Sequence, residues 1–277
     1  MKRAVILISF DDAYFRFGKT LLYSLEKWGS GIEKKLYTVN LAESKRNELY
    51  ERFSNITIIN KNVYLRRGRQ LRLYMANRKA SVFLDAVNRY QADTYLYLDS
   101  DILMRDSVDN LLNDLGENDA ALLYRPLSNG FHAKINSSIV IVKAGAGVGL
   151  IREWNEQMRK RFAIFTTDKN LSIRDILKNK KPGYPKPLYI AKGCWFWDQI
   201  TLYEAVKVLR LQYATLRIDK YLSDDFAPLA AAWSGHGANK DYVYKRYVEE
   251  LKYVPVFQEK DSRLLPDLQN AHNSHGL

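Results

Sequence analysis

The chain of 277 residues contains one cysteine, Cys194, and four histidines. A single thiol excludes a disulfide framework and a multi-thiolate zinc site, and it suits a reducing compartment. Long apolar runs are missing as well. The best candidate, Ser138 to Ile151, is interrupted by Lys143 and falls short of the roughly 20 residues a membrane helix needs. Met1-Lys2-Arg3 ahead of Ala4 to Phe10 imitates a signal peptide, but the apolar part is short, Asp11-Asp12 follows at once and no small-residue cleavage site is present. The expectation is a cytoplasmic protein. Several nucleotide and hydrolase signatures are absent: no Walker motif, HExxH or Gly-x-Ser-x-Gly occurs. Gly145-Ala146-Gly147-Val148-Gly149-Leu150 fails the dinucleotide fingerprint at its last position, and Ser9 to Tyr14 lacks the glycines of a nucleotidyltransferase loop.

What is present is a chain with 47% hydrophobic and 27% charged residues, enough apolar content to bury a core and too much for a disordered protein. Its 43 Lys+Arg against 31 Asp+Glu leave a net charge of +12. Nucleic acid, an anionic membrane surface, a phosphorylated small substrate or a merely solvated basic surface would each account for that excess. The basic stretch Lys61, Arg66, Arg67, Arg69, Arg72, Arg78 and Lys79, with Tyr64 and Tyr74 interleaved, is what a nucleic-acid-binding module would use. No helix-turn-helix, zinc-finger or RNA-recognition signature accompanies it.

Periodicity predicts strands exchanged with helices. Ala4 to Ile8 reads as a strand buried on both faces, and Tyr14, Phe17, Leu21, Leu22, Leu25 and Trp28 recur at helical spacing up to Gly29. Lys35 to Val39 and Ile56 to Ile59 read as strands around a helix from Leu41 to Phe53. One long helix is expected from Leu71 to Tyr90, then the strand Tyr95 to Leu98 ending in Asp99-Ser100-Asp101. Val108 to Leu115, Val148 to Phe162, Asp198 to Leu209 and Lys240 to Lys252 read as helices, Ala120 to Tyr124 and Ser138 to Val142 as strands. Lys178 to Lys192, with Pro182, Pro185 and Pro187 among its lysines, reads as an exposed loop. The pattern predicts an α/β fold on a largely parallel sheet, organised as one domain over residues 1–258 with a polar tail over 259–277.

Side chains alternate along a strand, so Asp99 and Asp101 are expected on one side and Ser100 on the other. Two carboxylates together repel unless a cation lies between them, and hard oxygen ligands suit Mg²⁺ or Mn²⁺ sharing oxygens with a phosphate. The carboxyl end of a central strand is where open α/β sheets place ligands. The alternative is an acidic turn at a strand end, with Ser100 starting a cap.

The stretch Tyr95 to Leu112 resembles the Asp-x-Asp segment of GT-A fold glycosyltransferases, above all family 8, which includes glycogenin and bacterial lipooligosaccharide galactosyltransferases. Three further segments match in order. Asn136-Ser137-Ser138-Ile139-Val140-Ile141 is similar to the family's donor-sugar strand, Trp197-Asp198-Gln199-Ile200 to its Asp-Gln dipeptide, and Ser234-Gly235-His236-Gly237 with Lys240 to its late His/Gly/Lys segment. Together they span roughly residues 4 to 241. Two departures are visible: Ser138 stands where the family usually has Gly, and His236 lies closer to Lys240 than the family's spacing.

The resemblance implies a GT-A fold, a nucleotide-sugar donor, most simply a UDP-sugar, and transfer with retention of configuration to a glycan, glycolipid or protein acceptor. It implies a Mn²⁺ or Mg²⁺ ion held by Asp99, Asp101 and His236, donor contacts from Ser100, Ser137, Gly237 and Lys240, and Asn136, Asp198 and Gln199 around the reacting sugar. Arg78 and Lys79 add positive charge for a diphosphate. The end of the first strand, Ser9, Phe10, Asp11 and Tyr14, should meet the base and ribose. Other readings stay open: Asp198 as an N-cap of its own helix, His236 as a loop histidine between glycines, Tyr14 as part of an apolar stripe. His132, near Asn136 in sequence, reads as a surface residue or as support behind the site, and Cys194 as a packed one. The lysines from Lys178 to Lys192 suit an acceptor-side lid or contact with an anionic membrane face, and no specific nucleic acid is expected.

Overall fold

The computed structural model describes residues 3–64, 68–124, 135–167, 197–223, 226–235 and 239–261. Strands are β1 (Ala4–Asp11), β2 (Glu33–Val39), β3 (Ile56–Lys61), β4 (Thr94–Asp99), β5 (Ile102–Met104), β6 (Ala120–Tyr124), β7 (Ile135–Lys143), β8 (Tyr213–Arg217) and β9 (Ala232–Ser234). Helices are α1 (Phe15–Trp28), α2 (Glu43–Arg52), α3 (Gly68–Asn77), α4 (Lys79–Arg89), α5 (Val108–Asn113), α6 (Ala146–Thr167), α7 (Trp197–Leu209), α8 (Ile218–Tyr221), α9 (Lys240–Leu251) and α10 (Pro255–Asp261). Seven strands form one mostly parallel sheet in the order β3-β2-β1-β4-β7-β6-β8, with β7 antiparallel to β6. The short β5 and β9 pair antiparallel on their own.

The α/β expectation holds because the strands read as both-face burial. Val5, Ile6, Leu7 and Ile8 are all fully buried in β1, each contributing about 2 kcal/mol of transfer free energy against the entropy of ordering. In α1 the stripe Phe17, Leu21, Leu22 and Leu25 is buried, and Gly29 caps the helix through its N–H to Leu25 O at 2.9 Å.

The chain divides into two compact units, each assembled from separate stretches: residues 1–7, 63–97 and 115–217 in the first, 8–62, 98–114 and 218–277 in the second. In the first, β6, β7 and β8 carry α4, α6 and α7, with α6 packed on both α4 and α7. In the second, β2 and β3 pair in parallel, while α1 packs against β5 and α9. β1 neighbours β4, and the connections after β1 run to β2 and β3 on one side while β4 lies on the other. The carboxyl ends of β1 and β4 thus mark a switch point of the sheet, the usual ligand crevice of an open α/β fold, and both ends belong to the second unit.

Several expectations need correction. The long helix from Leu71 to Tyr90 is two helices, α3 and α4, interrupted at Arg78. Arg78 is the residue between them, and Ser81 Oγ donates back to Arg78 O at 2.7 Å in the first turn of α4. The strand β4 stops at Asp99, and Ser100-Asp101 form a turn into β5, so strand alternation does not set the direction of Asp101. β7 begins at Ile135 and holds Asn136 and Ser137 within it. β8, β9 and α8 had no sequence expectation: they are short, and β8 is mostly half-exposed. The lysine-proline loop from Lys178 to Lys192, Cys194 and His132 lie outside the described residues.

Candidate active site

The first unit holds a buried ionic cluster. Its origin is an irregularity in β7: opposite β6 the register steps from Leu122↔Val140 to Leu123↔Asn136, so Ser137, Ser138 and Ile139 have no β6 partner. A bulge of this kind re-aims side chains. It is supported locally by Ser138 N–H donating to Asn136 Oδ1 at 2.7 Å. Ser137 Oγ, re-aimed, donates to Asp198 Oδ2 near the start of α7. Lys79, the first residue of α4, donates to Ser137 Oγ at 3.0 Å and lies 3.1 Å from Asp198 Oδ2. Lys79, Ser137 and Asp198 are 7%, 0% and 2% exposed, a burial that charges tolerate only when paired and hydrogen-bonded.

An aromatic floor fixes this cluster. Trp154 of α6, fully buried, donates from Nε1 to Asp198 O at 2.8 Å and lies 6.2 Å from Phe83 by ring centroid. Phe83 in turn tilts on Tyr97, whose ring is 5.8 Å from the Lys79 ammonium. Thr201 Oγ accepts the Trp154 indole N–H at 3.2 Å while donating to Trp197 O at 2.6 Å. Asp198 is the second residue of the described α7, and its carboxylate bonds Ser137 and Lys79. Its other oxygen, Oδ1, is buried with no hydrogen-bond partner among the described residues, and so are Asn136 Nδ2 and Ser138 Oγ. Buried polar atoms without partners are costly and uncommon. Here one acceptor and one amide donor remain unspent, a set suited to hydroxyl groups of a ligand. Gln199 is buried beside Asp198, and Arg78 is buried with its guanidinium 5.5 Å from the Tyr74 ring. Arg78 and Lys79 are therefore withdrawn from any exposed basic surface.

The second unit holds the strand-end acids. Lys240, at the start of α9, donates to Asp101 Oδ2 at 2.7 Å and to Gly235 O. Its ammonium lies 5.5 Å from the Tyr14 ring and 5.4 Å from that of Phe17. The backbone of Asp101 is clamped: its carbonyl accepts from Gly235 N–H at 2.6 Å and from the Tyr247 hydroxyl at 2.6 Å, which also reaches Trp233 O at 3.1 Å. Gly235 is required here, since a Cβ would fall 2.8 Å from Asp101 Cβ and 2.9 Å from its carbonyl. Burial, reinforced by the Asp101 charge, pushes the Tyr247 phenol well above its ordinary range and keeps it a donor.

At the end of β1, Asp11 Oδ1 accepts from Tyr14 N–H at 3.1 Å and caps the turn Asp12–Tyr14. Burial raises the Asp11 carboxyl above its usual value, opposed by backbone N–H bonds from Tyr14 and Ala13. Ser9 Oγ donates to Tyr37 O at 3.1 Å, and the buried Phe10 ring packs where a Gly18 Cβ would stand. Ser100 is buried in its turn, and Asp99 closes β4 half-buried. His236 and Gly237 lie outside the described residues, as do the other three histidines. Among the described residues no group of three His, Cys, Asp or Glu is arranged to hold a metal. The carboxylates of Asp99 and Asp101, at the switch point on a fixed backbone, nonetheless have the chemistry of a hard-cation set, and Lys240 already sets a positive charge on one of them.

Trp154, Thr201 and Tyr247 escaped sequence reasoning. Each lies in an amphipathic helix, where an aromatic or Thr reads as packing, and no local signal separates the two uses.

No protein-family model and no curated protein sequence matches the chain. Solved structures do. The apo form of the glycosyltransferase GlyE of Streptococcus pneumoniae TIGR4 superposes with a TM-score of 0.52 at 18% identity, covering 91% of this chain and 60% of that one. The apo bifunctional glycosyltransferase WbbM superposes at 0.53 and 15% identity, covering 93% of this chain and 51% of that one. The chain has the fold of these glycosyltransferases. It spans just over half the length of each. Among the described residues no helix is long and apolar enough to cross a membrane.

Proposed function

We propose that this chain is a metal-dependent glycosyltransferase that moves a sugar from a nucleotide-diphosphate sugar, a UDP-sugar first, to a glycan, glycolipid or protein acceptor. The observation that carries the reading is the buried Lys79–Ser137–Asp198 cluster with its unspent Asp198 Oδ1 and Asn136 Nδ2, set on a glycosyltransferase fold. Sugar hydroxyls match that pair of atoms, one donating to Asp198 and one accepting from Asn136. Lys79 and Ser137 hold Asp198 oriented, so the carboxylate enters the reaction already fixed. Gln199, next in the chain, is assigned to the same sugar.

In the second unit Asp99 and Asp101 would hold Mn²⁺ or Mg²⁺, and His236 is assigned to the same ion. When bound, the ion neutralises the departing diphosphate as a Lewis acid. Lys240 adds a cation for phosphate oxygens, and Ser9, Asp11, Tyr14, Ser100 and Gly237 complete the donor contacts assigned to this unit. Asp198 is held by Ser137 and Lys79, and we assign transfer with retention of configuration by a route other than the paired-carboxylate mechanism of glycosidases. We assign the whole to one catalytic domain acting in the cytoplasm, with peripheral contact at an anionic membrane face.

The test is donor hydrolysis and transfer with a panel of UDP-, GDP- and ADP-sugars plus Mn²⁺, for wild type and for Asp99→Ala and Asp101→Ala. Loss of turnover in both variants is expected; full activity in both would remove the metal assignment.

A further inference from the structure

The Lys240–Asp101 pair has one fixed and one movable half. Asp101 is fixed by the Gly235 N–H and the Tyr247 hydroxyl on its carbonyl, and by a glycine packed so close that no Cβ fits. Lys240 is a flexible four-carbon stem. Its side chain is 30% exposed against 15% for Asp101, and its ammonium rests near Tyr14 and Phe17, with hydrogen bonds to Asp101 Oδ2 and Gly235 O.

A divalent cation at Asp101 and this ammonium compete for the same carboxylate. Held there together, the two positive charges repel one another. A diphosphate supplies the anion that lets the lysine leave. Resting on the metal-dependent donor binding proposed above, we infer that Lys240 is an internal competitor for the cation site, coupling cation loading to diphosphate loading. Without a diphosphate, Lys240 holds Asp101 and weakens cation binding. With a diphosphate, Lys240 moves its ammonium to the phosphate oxygens and frees Asp101. Coupling of this kind is reciprocal, so the cation strengthens diphosphate binding by the same factor. It keeps the bare site from filling with a cation that has no donor to act on.

The experiment measures Mn²⁺ affinity of the full chain without nucleotide, and UDP affinity in EDTA and at saturating Mn²⁺, by calorimetry. Wild type, Lys240→Met and Lys240→Gln are compared; the glutamine variant keeps the position polar, and Asn239 rather than Lys240 caps α9. In both variants Mn²⁺ alone should bind about 5-fold tighter, the scale of a partly exposed ion pair. The ratio of UDP affinities with and without Mn²⁺ should fall by a similar factor. Wild type binding Mn²⁺ while both variants bind it no tighter overturns the competition and leaves the metal reading standing. No Mn²⁺ binding by any of the three, with or without UDP, overturns the metal reading and the competition together.

Discussion

Lys79 Nζ stands 3.1 Å from Asp198 Oδ2 in an environment where both side chains are less than a tenth exposed. The two residues lie on α4 and α7, and Ser137 of the β7 bulge bonds to both. Removing the lysine leaves a buried carboxylate without its cation, a loss of about 3–5 kcal/mol. Lys79→Met should therefore lower stability by that order in urea unfolding. The double variant Lys79→Met/Asp198→Leu should recover much of the stability, since it buries no charge, and recover none of the donor hydrolysis. Recovery of turnover in the double variant would remove Asp198 from the reaction.

Ser138 carries a buried hydroxyl with no partner among the described residues. Its backbone N–H, not its side chain, holds the bulge through Asn136. Ser138→Ala removes an unpaired polar group at little cost in volume and should stabilise the chain by about 1 kcal/mol in thermal or urea unfolding. A loss of similar size would show that the hydroxyl is bonded.

Gly235 meets the backbone of Asp101, which cannot step aside as a flexible side chain would. Gly235→Ala should cost about 1–3 kcal/mol through overpacking. It should also weaken Mn²⁺ binding in the presence of UDP, because the displaced residue is the proposed ligand. Calorimetry on Gly235→Ala well below its melting temperature, with its urea unfolding measured alongside, separates the local effect from general destabilisation.

Asp11 makes stability depend on pH in the direction opposite to a salt-bridged carboxylate. Burial raises its folded-state value above 3.8, so between 3.8 and that raised value the folded chain binds more protons than the unfolded one. Stability from this residue is then present at low pH and falls as pH rises through the window. Asp11→Asn keeps an acceptor for the Tyr14 N–H and removes the buried charge. Its melting temperature should exceed that of wild type at pH 7, and the difference should shrink as pH falls and vanish below about pH 3.8. An equal difference at both pH values would place the effect elsewhere.

The strand and helix positions of the first hundred residues were legible because their signal is local. Both-face burial writes Ala4 to Ile8 as continuous apolar sequence, and α1 writes its buried stripe at helical spacing up to Gly29. Boundaries were less legible where no Gly or Pro marks them, as at Arg78, where one expected helix is divided into α3 and α4. The acidic pair at the end of β4 was readable by type and place, but its partner was not. Nothing near Asp101 in sequence points to Lys240 as its cation or to Tyr247 and Gly235 as the clamp on its carbonyl.

The same division runs through the buried cluster. Asn136, Ser137 and Asp198 were marked by resemblance, and Lys79 by its charge alone, as a cation for a diphosphate. The structure commits Lys79 to Asp198 and Ser137. The amino-acid sequence by itself determined the α/β fold, the strand-end acids and the candidate residues, because periodicity and composition act over a few neighbours. Tertiary structure alone decided the β7 register step, the pairing of Lys79 with Asp198 and of Lys240 with Asp101, and which polar atoms stay unspent. Those depend on where distant segments meet, and a charge or hydroxyl in a chain carries no record of the partner that burial will force upon it.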